Sequence, residues 1–466
     1  MSLADDADIA LDVAVRAQEI GGRAAMPPRA GGTLRILRGM REDPLGLLAA
    51  TRREHGDVVV FRFFFWRVTL VTHPDGVRHV LQERHTNYSK DNLDYRMLKP
   101  VLGDGLLTSE GALWLRQRRL IQPAFHRERI AALGELMTAR TELMLDRWDA
   151  MRGEVLDVAA EMSRLALDIV ARALFRVDIG GPADALSEAV TTLNRYISAQ
   201  FDSPIGLLLA GRPPLRPGPR RALRALDDIV FGIIRTRRAG GGDGDDLLTT
   251  LLELRDEETG EGMTDRQLRD EVMTLLLAGH ETTANALAWT WYLLARHPDV
   301  AEKQRAELSA VLGTRRPGVD DLPRLPWTRM IIDEAMRLYP PAWFVSRRAK
   351  EDDEIGGYRI AAGSNVALSP WVTHRHPAFW PDPETFDPER FAPERAATRP
   401  RFAYFPFGGG PRLCIGNTFA LTEAQLVLAT VASRWRLDLP QGHAAEPEPL
   451  VTLRPRGGLP MRVHRL

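Results

Sequence analysis

The sequence predicts a mainly α-helical fold that carries a small β-rich region. From about Ala112, the spacing of apolar residues is helical and stays so for about two hundred residues. One helix within this part is bounded by clear signals at both ends, at Thr264 and Pro298. Residues of the β-branched and aromatic types concentrate in short stretches such as Asp57–Thr72.

The chain is long enough to bury a sizeable core. Its 466 residues are 44% hydrophobic and 27% charged, which excludes a predominantly disordered protein. The segment Met26–Gly32 is rich in proline and glycine, so we expect residues 1–30 to form an irregular lead-in. Because no internal repeat or low-complexity linker follows, we expect one large domain over residues 31–466.

Local signals predict the other elements in chain order. Asp57–Thr72 is expected to form a pair of strands. We expect no helix over Arg212–Pro219, because proline lacks the backbone donor and fixes φ. The later part of the chain is expected to contain helices at Thr328–Tyr339 and Asn417–Ala432, and short strands at Tyr358–Ile360 and Val366–Leu368.

The long helix in the middle of the chain has the clearest start. Thr264 is a favourable N-cap, and Gln267 completes a capping box with it. The helix is expected to run for about 33 residues, or about 50 Å. Its segment Met273–Ala295 is nearly long enough to span a membrane, but it carries Glu281 near its middle, where a carboxylate is costly. We therefore expect a helix inside a soluble protein and no transmembrane segment.

Charge and cysteine content exclude several classes of protein. Lys plus Arg and Asp plus Glu both total 62, so the basic surplus typical of nucleic-acid binding is absent and no nucleic-acid partner is expected. The single cysteine, Cys414, excludes intrachain disulfides and a zinc site made of cysteines. Residues 1–30 have neither the basic start nor the apolar run of a signal peptide, and we expect a cytoplasmic protein.

Cys414 lies in the segment Phe407–Gly416 (FGGGPRLCIG), whose glycines and proline predict a tight hairpin. A cysteine just before a helix lies at the positive end of the helix dipole, which favours the metal-binding thiolate. We expect Leu413 and Ile415 to exclude water from the sulfur. A phosphate-binding loop is excluded because no Gly-Lys-Ser/Thr follows the glycines. A buried, unreactive cysteine is the alternative.

This segment resembles the haem-binding signature of the cytochrome P450 family, Phe-x-x-Gly-x-Arg-x-Cys-x-Gly, in full. The family's signature cysteine binds the iron of haem b, so the resemblance implies that Cys414 is the metal ligand. It also implies three cofactor-binding residues in the segment, Phe407, Arg412 and Gly416.

A second motif on a predicted helix is Glu334-Ala-Met-Arg337. Alone, it is an ordinary solvated i, i+3 pair. It resembles the family's structural pair, which joins an arginine from a downstream Pro-Glu-Arg-Phe. That arginine is Arg390 here.

A third motif, Ala278–Thr283 (AGHETT), lies in the middle of the long helix. The small residues Ala278 and Gly279 make a flat strip where a porphyrin can lie, although a helix-packing groove is the alternative. A mid-helix threonine can also bond back to the carbonyl four residues before it. The motif resembles the family's oxygen-binding notch, which implies that Thr282 hydrogen-bonds dioxygen and that Glu281 lies on the route of proton delivery.

Candidate donors to the haem propionates come from three places. Trp114 and Arg118 are one helical turn apart and both carry N–H donors, although an arginine-rich surface helix is the alternative. The resemblance implies Arg412 as a further donor. It also implies Arg347, with the adjacent Arg348 leaving a one-residue ambiguity.

The resemblance implies a haem-thiolate monooxygenase that inserts one atom of O2 into a C–H bond or double bond. Because the haem domain takes up the chain, electrons are expected from a separate ferredoxin- or flavodoxin-type donor with its NAD(P)H reductase. The candidate contacts for an acidic donor are Arg116, Arg119, Arg127 and Arg129. The alternatives are a thiolate-haem enzyme that uses peroxide or isomerises or dehydrates its substrate, and a haem sensor or carrier. The intact Glu281 and Thr282 disfavour both.

The residues expected around the substrate are mostly apolar. Trp343, Phe344 and the aliphatic Ile205, Leu207 and Leu208, with few charges nearby, predict an apolar small molecule such as a terpenoid, fatty acid or polyketide. The segments expected to line the pocket are Tyr88–Leu107, Ser198–Leu209, Leu275, Ala278 and Ala342–Val345.

Overall fold

The computed structural model describes residues 24–63, 66–178, 183–201, 206, 210–240, 246–253, 255, 260 and 262–466. Helices dominate this part of the chain, which confirms the predicted fold class. The α-helices are α1 (Thr33–Glu42), α2 (Pro44–His55), α3 (Pro74–Arg78), α4 (Leu93–Leu102), α5 (Gly111–Ile121), α6 (Arg127–Ala132), α7 (Gly134–Asp149), α8 (Val158–Phe175), α9 (Ala183–Phe201), α10 (Pro217–Arg238), α11 (Leu247–Glu253), α12 (Asp265–Arg296), α13 (Pro298–Leu312), α14 (Pro326–Leu338), α15 (Pro370–Thr373), α16 (Pro393–Ala397) and α17 (Asn417–Ala432).

The strands are short. They are β1 (Val58–Phe63), β2 (Trp66–Val71), β3 (Tyr88–Ser89), β4 (Val155–Asp157), β5 (Val345–Ala349), β6 (Asp353–Ile355), β7 (Tyr358–Ile360), β8 (Asn365–Leu368), β9 (Trp435–Asp438), β10 (Pro447–Pro449), β11 (Leu453–Pro455) and β12 (Pro460–Arg465).

The chain divides into two compact units. The first comprises Met1–Asn92, Phe344–Pro383 and Arg399–Leu413, and the second comprises Leu93–Trp343, Glu384–Thr398 and Cys414–Leu466. The single domain over residues 31–466 and the lead-in over residues 1–30 stay predictions.

The first unit contains a five-stranded sheet in the order β1-β2-β8-β5-β3. The antiparallel pairing of β1 with β2, with Val58 opposite Val71, confirms the strand pair predicted at Asp57–Thr72. The expected strands near residues 360 and 367 are confirmed as β7 and β8. Apolar side chains of this sheet, among them Val71 and Leu368, pack with Phe405 in one buried cluster.

The second unit is built around α12, which packs against α8, α10 and α14. Its start is as predicted: the backbone N–H of Gln267 donates to Thr264 Oγ1 at 3.2 Å, and the Thr264 N–H donates to Gln267 Oε1 at 2.9 Å. The helix contains 32 residues. Within the part of the chain that the structure describes, none of the helices has the length and apolarity that a membrane span requires.

The expectation that Arg212–Pro219 contains no helix is wrong for its last three residues. Helix α10 begins at Pro217 and includes Pro219. Both prolines lie in the first turn, where a backbone N–H has no partner within the helix, so proline is tolerated there.

A turn between α4 and α5 is held on α12 by two carboxylates. The backbone N–H of Leu106 donates to Glu271 Oε2 at 3.1 Å, and that of Asp104 donates to Asp270 Oδ2 at 3.0 Å. Burial raises the pKa of Glu271 from its ordinary 4.5 to about 8, against the opposing effect of the Leu106 hydrogen bond. The folded protein therefore binds this proton more tightly than the unfolded chain does.

We expect Glu271 to contribute less to the free energy of unfolding as the pH rises from about 5 to about 8, because the folded state holds a proton that the unfolded chain has already lost. The slope that one such group contributes is at most about 1.4 kcal/mol per pH unit. The free energy of unfolding, measured with urea at several pH values in this range, should change less negatively with pH in Glu271→Gln than in the wild type. Glu253 is exposed, so Glu253→Gln should show the same pH dependence as the wild type. Equal slopes in all three proteins would contradict this expectation.

Candidate functional site

Helix α12 is open to solvent at one place in its middle. From Leu268 to Leu294 its residues are buried, apart from five neighbours. These five, which we call the open segment, are Leu277, Ala278, Gly279, Glu281 and Thr282. Ala278 is the most open of them. The small residues predicted to lie against a porphyrin are therefore among those that the rest of the second unit does not cover.

The threonine of this segment bonds back to its own helix, as predicted. Thr282 Oγ1 donates to the carbonyl oxygen of Ala278 at 2.7 Å, and its oxygen can still accept a hydrogen bond. The neighbouring Thr283 is buried. Helix packing by itself favours glycine at position 279, because a Cβ there would lie 2.9 Å from Val170 Cγ2 of α8. Contact of Gly279 with a cofactor stays a prediction.

Glu281 as a whole is only partly buried, but its carboxyl group lies against other side chains, among them Asn194. Burial raises its pKa, while hydrogen bonds from Thr452 and Asn194 and the charge of Arg454 act in the opposite direction. Sequence analysis missed Asn194 and Thr452, because their positions carry no motif and come from distant parts of the chain. A second unexpected carboxyl group is that of Glu423 on α17, where burial raises the pKa well above its ordinary value.

Cys414 lies three residues before α17, as the sequence predicts. Its side chain is exposed, so the expectation that Leu413 and Ile415 exclude water from the sulfur is wrong for the protein chain alone. Gly416 ends the loop at the helix N-cap, and Phe125 lies 3.6 Å from where a Cβ of Gly416 would be.

Within the second unit, α5 brings a cation towards this cysteine. Partial burial lowers the pKa of the Arg118 guanidinium, and the negative charge of a Cys414 thiolate acts against that shift. Trp114 precedes Arg118 by one turn of α5. Trp114 and Ile415 pack, half-buried, against the same apolar cluster, which also contains Leu275 of α12.

The remaining signature residues lie in the first unit. Phe407 and Arg412 are half-buried, and Arg412 ends the short 3-10 helix Gly410–Arg412. Gly410 has φ +63°, and a Cβ there would lie 1.8 Å from the carbonyl oxygen of Leu81. Only glycine fits this position, which explains one of the glycines of the signature.

Strand β5 distinguishes the two adjacent arginines. Arg347 is buried, and its guanidinium donates to the Ser346 carbonyl at 2.7 Å. Arg348 points to the opposite face of the strand, where its side chain is 42% exposed and lies 3.9 Å from Asp91. Contact of Arg347 with a haem propionate stays a prediction.

Several residues expected to line the substrate pocket have other surroundings or are not described. Trp343 is largely buried, and its indole N–H donates to the carbonyl of Leu450 at 2.9 Å. Leu275 is buried at the start of the open segment. Ile205, Leu207 and Leu208 lie outside the described residues.

The residues of the second unit fit a thiolate-bound haem. Cys414 is an accessible sulfur donor, and thiolate is one of the axial ligands that hold haem iron. Arg118 supplies a partly desolvated positive charge that suits a propionate. The open segment supplies a face without bulky side chains at Ala278 and Gly279.

Comparisons with known proteins agree with this chemistry. The family profile "Cytochrome P450" matches residues 32–459. The chain is 42% identical to cyclooctatin synthase of Streptomyces melanosporofaciens, over 89% of this chain and 90% of that protein. It is 39% identical to cyclooctat-9-en-7-ol 5-monooxygenase of the same organism, over 84% and 85%. It is 35% identical to pentalenene oxygenase of Streptomyces avermitilis, over 86% and 88%.

A solved structure of the haem domain of cytochrome P450DA matches with a TM-score of 0.85 and 30% identity, over 95% of this chain and 98% of that one. Together with the family match and the named monooxygenases, this likeness establishes the fold, the cofactor and the reaction class. The chain therefore belongs to the cytochrome P450 family and is a haem-containing monooxygenase that acts on an apolar small molecule with electrons from an external redox partner.

Proposed function

We propose that this chain oxidises a terpenoid, with Cys414 as the iron ligand and Glu281 and Thr282 as the residues that deliver protons. The choice of substrate class is supported by two of the relatives, the cyclooctat-9-en-7-ol 5-monooxygenase and the pentalenene oxygenase, which are terpenoid monooxygenases. The assignment of residues is supported above all by the open segment of α12, which presents Ala278 and Thr282 while the other residues between Leu268 and Leu294 are buried.

Thiolate-bound haem supplies the activation of dioxygen, and the thiolate favours cleavage of the O–O bond. Cys414 binds the iron through Sγ. Arg118 holds a propionate from the second unit, with Trp114 as its neighbour on α5. Arg347 and Arg412 are the proposed donors from the first unit, and Phe407 and Gly416 complete the proposed cofactor contacts.

Thr282 and Glu281 move the protons in this proposal. The Thr282 hydroxyl donates to the Ala278 carbonyl, so its oxygen is fixed in orientation and accepts a hydrogen bond from a water molecule. Burial raises the pKa of Glu281, which keeps a proton available on its carboxyl group closer to neutral pH. The carboxyl group gives up this proton and then regains it from solvent.

The electron donor is proposed to be a ferredoxin or flavodoxin with its NAD(P)H reductase. Arg119, Arg127 and Arg129 are exposed and Arg116 is half-exposed, on the two helices that flank the Phe125 contact with the cysteine loop. Such a group of cations favours an acidic partner. A cytoplasmic location is proposed with it, because the proposed donor and a single free cysteine suit a reducing compartment.

Thr282→Ala tests the assignment of the reaction to these residues. We expect the variant to retain haem and substrate binding, while product per NAD(P)H oxidised falls about 10-fold and hydrogen peroxide rises. The full contribution of a general acid–base group is about 10²–10⁴-fold, and water replaces part of it here. The substrate is a compound that gives a type-I spin shift, from a terpenoid panel that includes cyclooctat-9-en-7-ol and pentalenene.

The matched control is Thr283→Ala, because Thr283 is the same residue type one position later and is buried away from the open segment. It should couple as the wild type does. Wild-type coupling in Thr282→Ala would remove this residue from the mechanism. Loss of coupling in Thr283→Ala alone would move the functional residue by one position.

A further inference from the structure

Side chains from two other parts of the second unit, α9 and the residue before β11, reach the carboxyl group of Glu281. From α9, the side-chain amide of Asn194 donates to Glu281 Oε2. Thr452, the residue just before β11, is close enough for its hydroxyl to lower the pKa of the same carboxyl group by a hydrogen bond. One turn further along α12, Asn285 Nδ2 donates to Thr452 Oγ1 at 3.0 Å. Asn194, Asn285 and Thr452 are all buried.

The direction of these hydrogen bonds follows from the groups involved. An amide N–H can only donate, so the bond from Asn285 makes Thr452 Oγ1 an acceptor. The hydroxyl hydrogen of Thr452 is then directed to Glu281. Asn194 and Thr452 therefore both donate to the carboxylate form of Glu281 and stabilise its negative charge. Burial acts the other way and stabilises the protonated form.

The position of Thr452 is fixed by the hydrogen bonds of the residue that follows it. The next residue, Leu453, donates its N–H to the carbonyl of Pro341 at 2.9 Å and accepts from Trp289 Nε1 at 3.1 Å. The hairpin of β10 and β11 thus has fixed contacts with α12 and with the segment after α14. A displacement of Thr452 would require these contacts to break as well.

The charged groups that face Glu281 are few. Arg454 of the same hairpin lowers the pKa of Glu281 by its charge, and Arg454 Nε is itself bonded to Glu448 Oε2 at 2.8 Å. His280 precedes Glu281, but its Nε2 lies 2.7 Å from Ser163 Oγ of α8, and burial lowers its pKa to about 4. The neutral donors Asn194 and Thr452 are therefore the direct contacts of the carboxyl group.

We propose that Asn194 and Thr452 are positioning residues that hold the Glu281 carboxyl group in place and set how readily it releases its proton. The proposal rests on the role of Glu281 given under the proposed function. Neither residue lies in a recognisable sequence motif. The hydrogen bond from Asn194 connects Glu281 to α9.

Infrared titration of the resting, haem-loaded protein tests this without any substrate. The carboxyl band of Glu281 is identified by its disappearance in Glu281→Gln. In Asn194→Leu and in Thr452→Val, which keep the size of each side chain, we expect the titration midpoint of this band to rise by about one pH unit, since one charge-assisted hydrogen bond to the carboxylate is lost.

Two variants control for structural effects. Thr452→Ser keeps the hydroxyl and should titrate as the wild type does. Ser187→Ala removes a 3.0 Å hydrogen bond between α9 and Ser163 of α8 without touching Glu281, and it should also leave the midpoint unchanged. An unchanged midpoint in both Asn194→Leu and Thr452→Val would overturn the proposal. So would the absence of any titrating band that Glu281→Gln removes.

The outcome is separable from that of the proposed function. If the midpoint shifts as expected but Glu281→Gln keeps the wild-type ratio of product to NAD(P)H oxidised, Asn194 and Thr452 position the carboxyl group but Glu281 is not the proton donor. If Glu281→Gln loses coupling while the two midpoints do not move, the proton-donor role stands and this inference falls.

Discussion

Cys414→His is expected to abolish the red-shifted Soret band that reduced thiolate-bound haem gives with carbon monoxide, and with it all product formation. Cys414 is the only cysteine of the chain, so no second thiolate can replace it. A histidine at this position still binds iron, but it does not supply the electron density that favours O–O cleavage. The loss of the spectral band should therefore be complete.

The measurement is the carbon monoxide difference spectrum of the purified protein, with haem content determined in parallel. Thr418→Ala is a suitable control, because Thr418 lies in the first turn of α17 and its side chain bonds only locally to Asn417. It should keep the band. A wild-type protein that binds haem without this band, or a Cys414→His protein that retains it, would remove Cys414 from its assigned role.

The elements that the sequence predicts well are those with local signals. Helix α12 begins where Thr264 and Gln267 form their capping box and ends just before Pro298. Each of these signals acts within one helical turn, so the printed sequence contains all that is needed to find it. The strand pair at β1 and β2 is similar, since its residue types and its short connection are local as well.

The start of α10 does not follow from the presence of proline alone. Proline disrupts the interior of a helix, whereas Pro217 and Pro219 lie in the first turn, where proline is allowed. Periodicity after the prolines identifies the helix, but the boundary depends on how the preceding segment enters it.

The partners of Glu281 could not be predicted for a different reason. Asn194 is separated from Glu281 by 87 residues, and Thr452 lies still further along the chain. Periodicity reports which face of a helix is covered but not which distant side chain covers it.

Arg337→Ala is expected to cost about 3–5 kcal/mol of stability, because it leaves a buried carboxylate without its main partner. Both Glu334 and Arg337 are completely buried. Arg337 Nε donates to Glu334 Oε2 at 2.6 Å, and a terminal nitrogen of Arg337 donates to Oε1 at 2.8 Å. Arg390 lies 3.4 Å from the same carboxylate, which confirms the network predicted from the sequence.

Two backbone groups complete this network. Arg337 donates to the carbonyl of Thr385 at 3.0 Å, and the N–H of Asp387 donates to Glu334 Oε1 at 2.9 Å. Removing the Arg337 side chain therefore also deprives the Thr385 carbonyl of this donor, in addition to removing the main partner of the carboxylate. The loss is large beside a typical total stability of about 5–15 kcal/mol, so haem retention should fall together with the melting temperature.

The matched control for Arg337→Ala is Arg329→Ala on the same helix. Arg329 Nε lies 2.7 Å from Asp333 Oδ2, with the arginine side chain 40% exposed and the aspartate side chain 13% exposed, so water screens this pair more than the fully buried one. The two variants remove the same side chain from ion pairs that differ mainly in burial. Melting temperature and haem content should fall sharply in Arg337→Ala and change little in Arg329→Ala. A melting temperature for Arg337→Ala as close to the wild type as that of Arg329→Ala would show that the buried network adds no more stability than a surface pair.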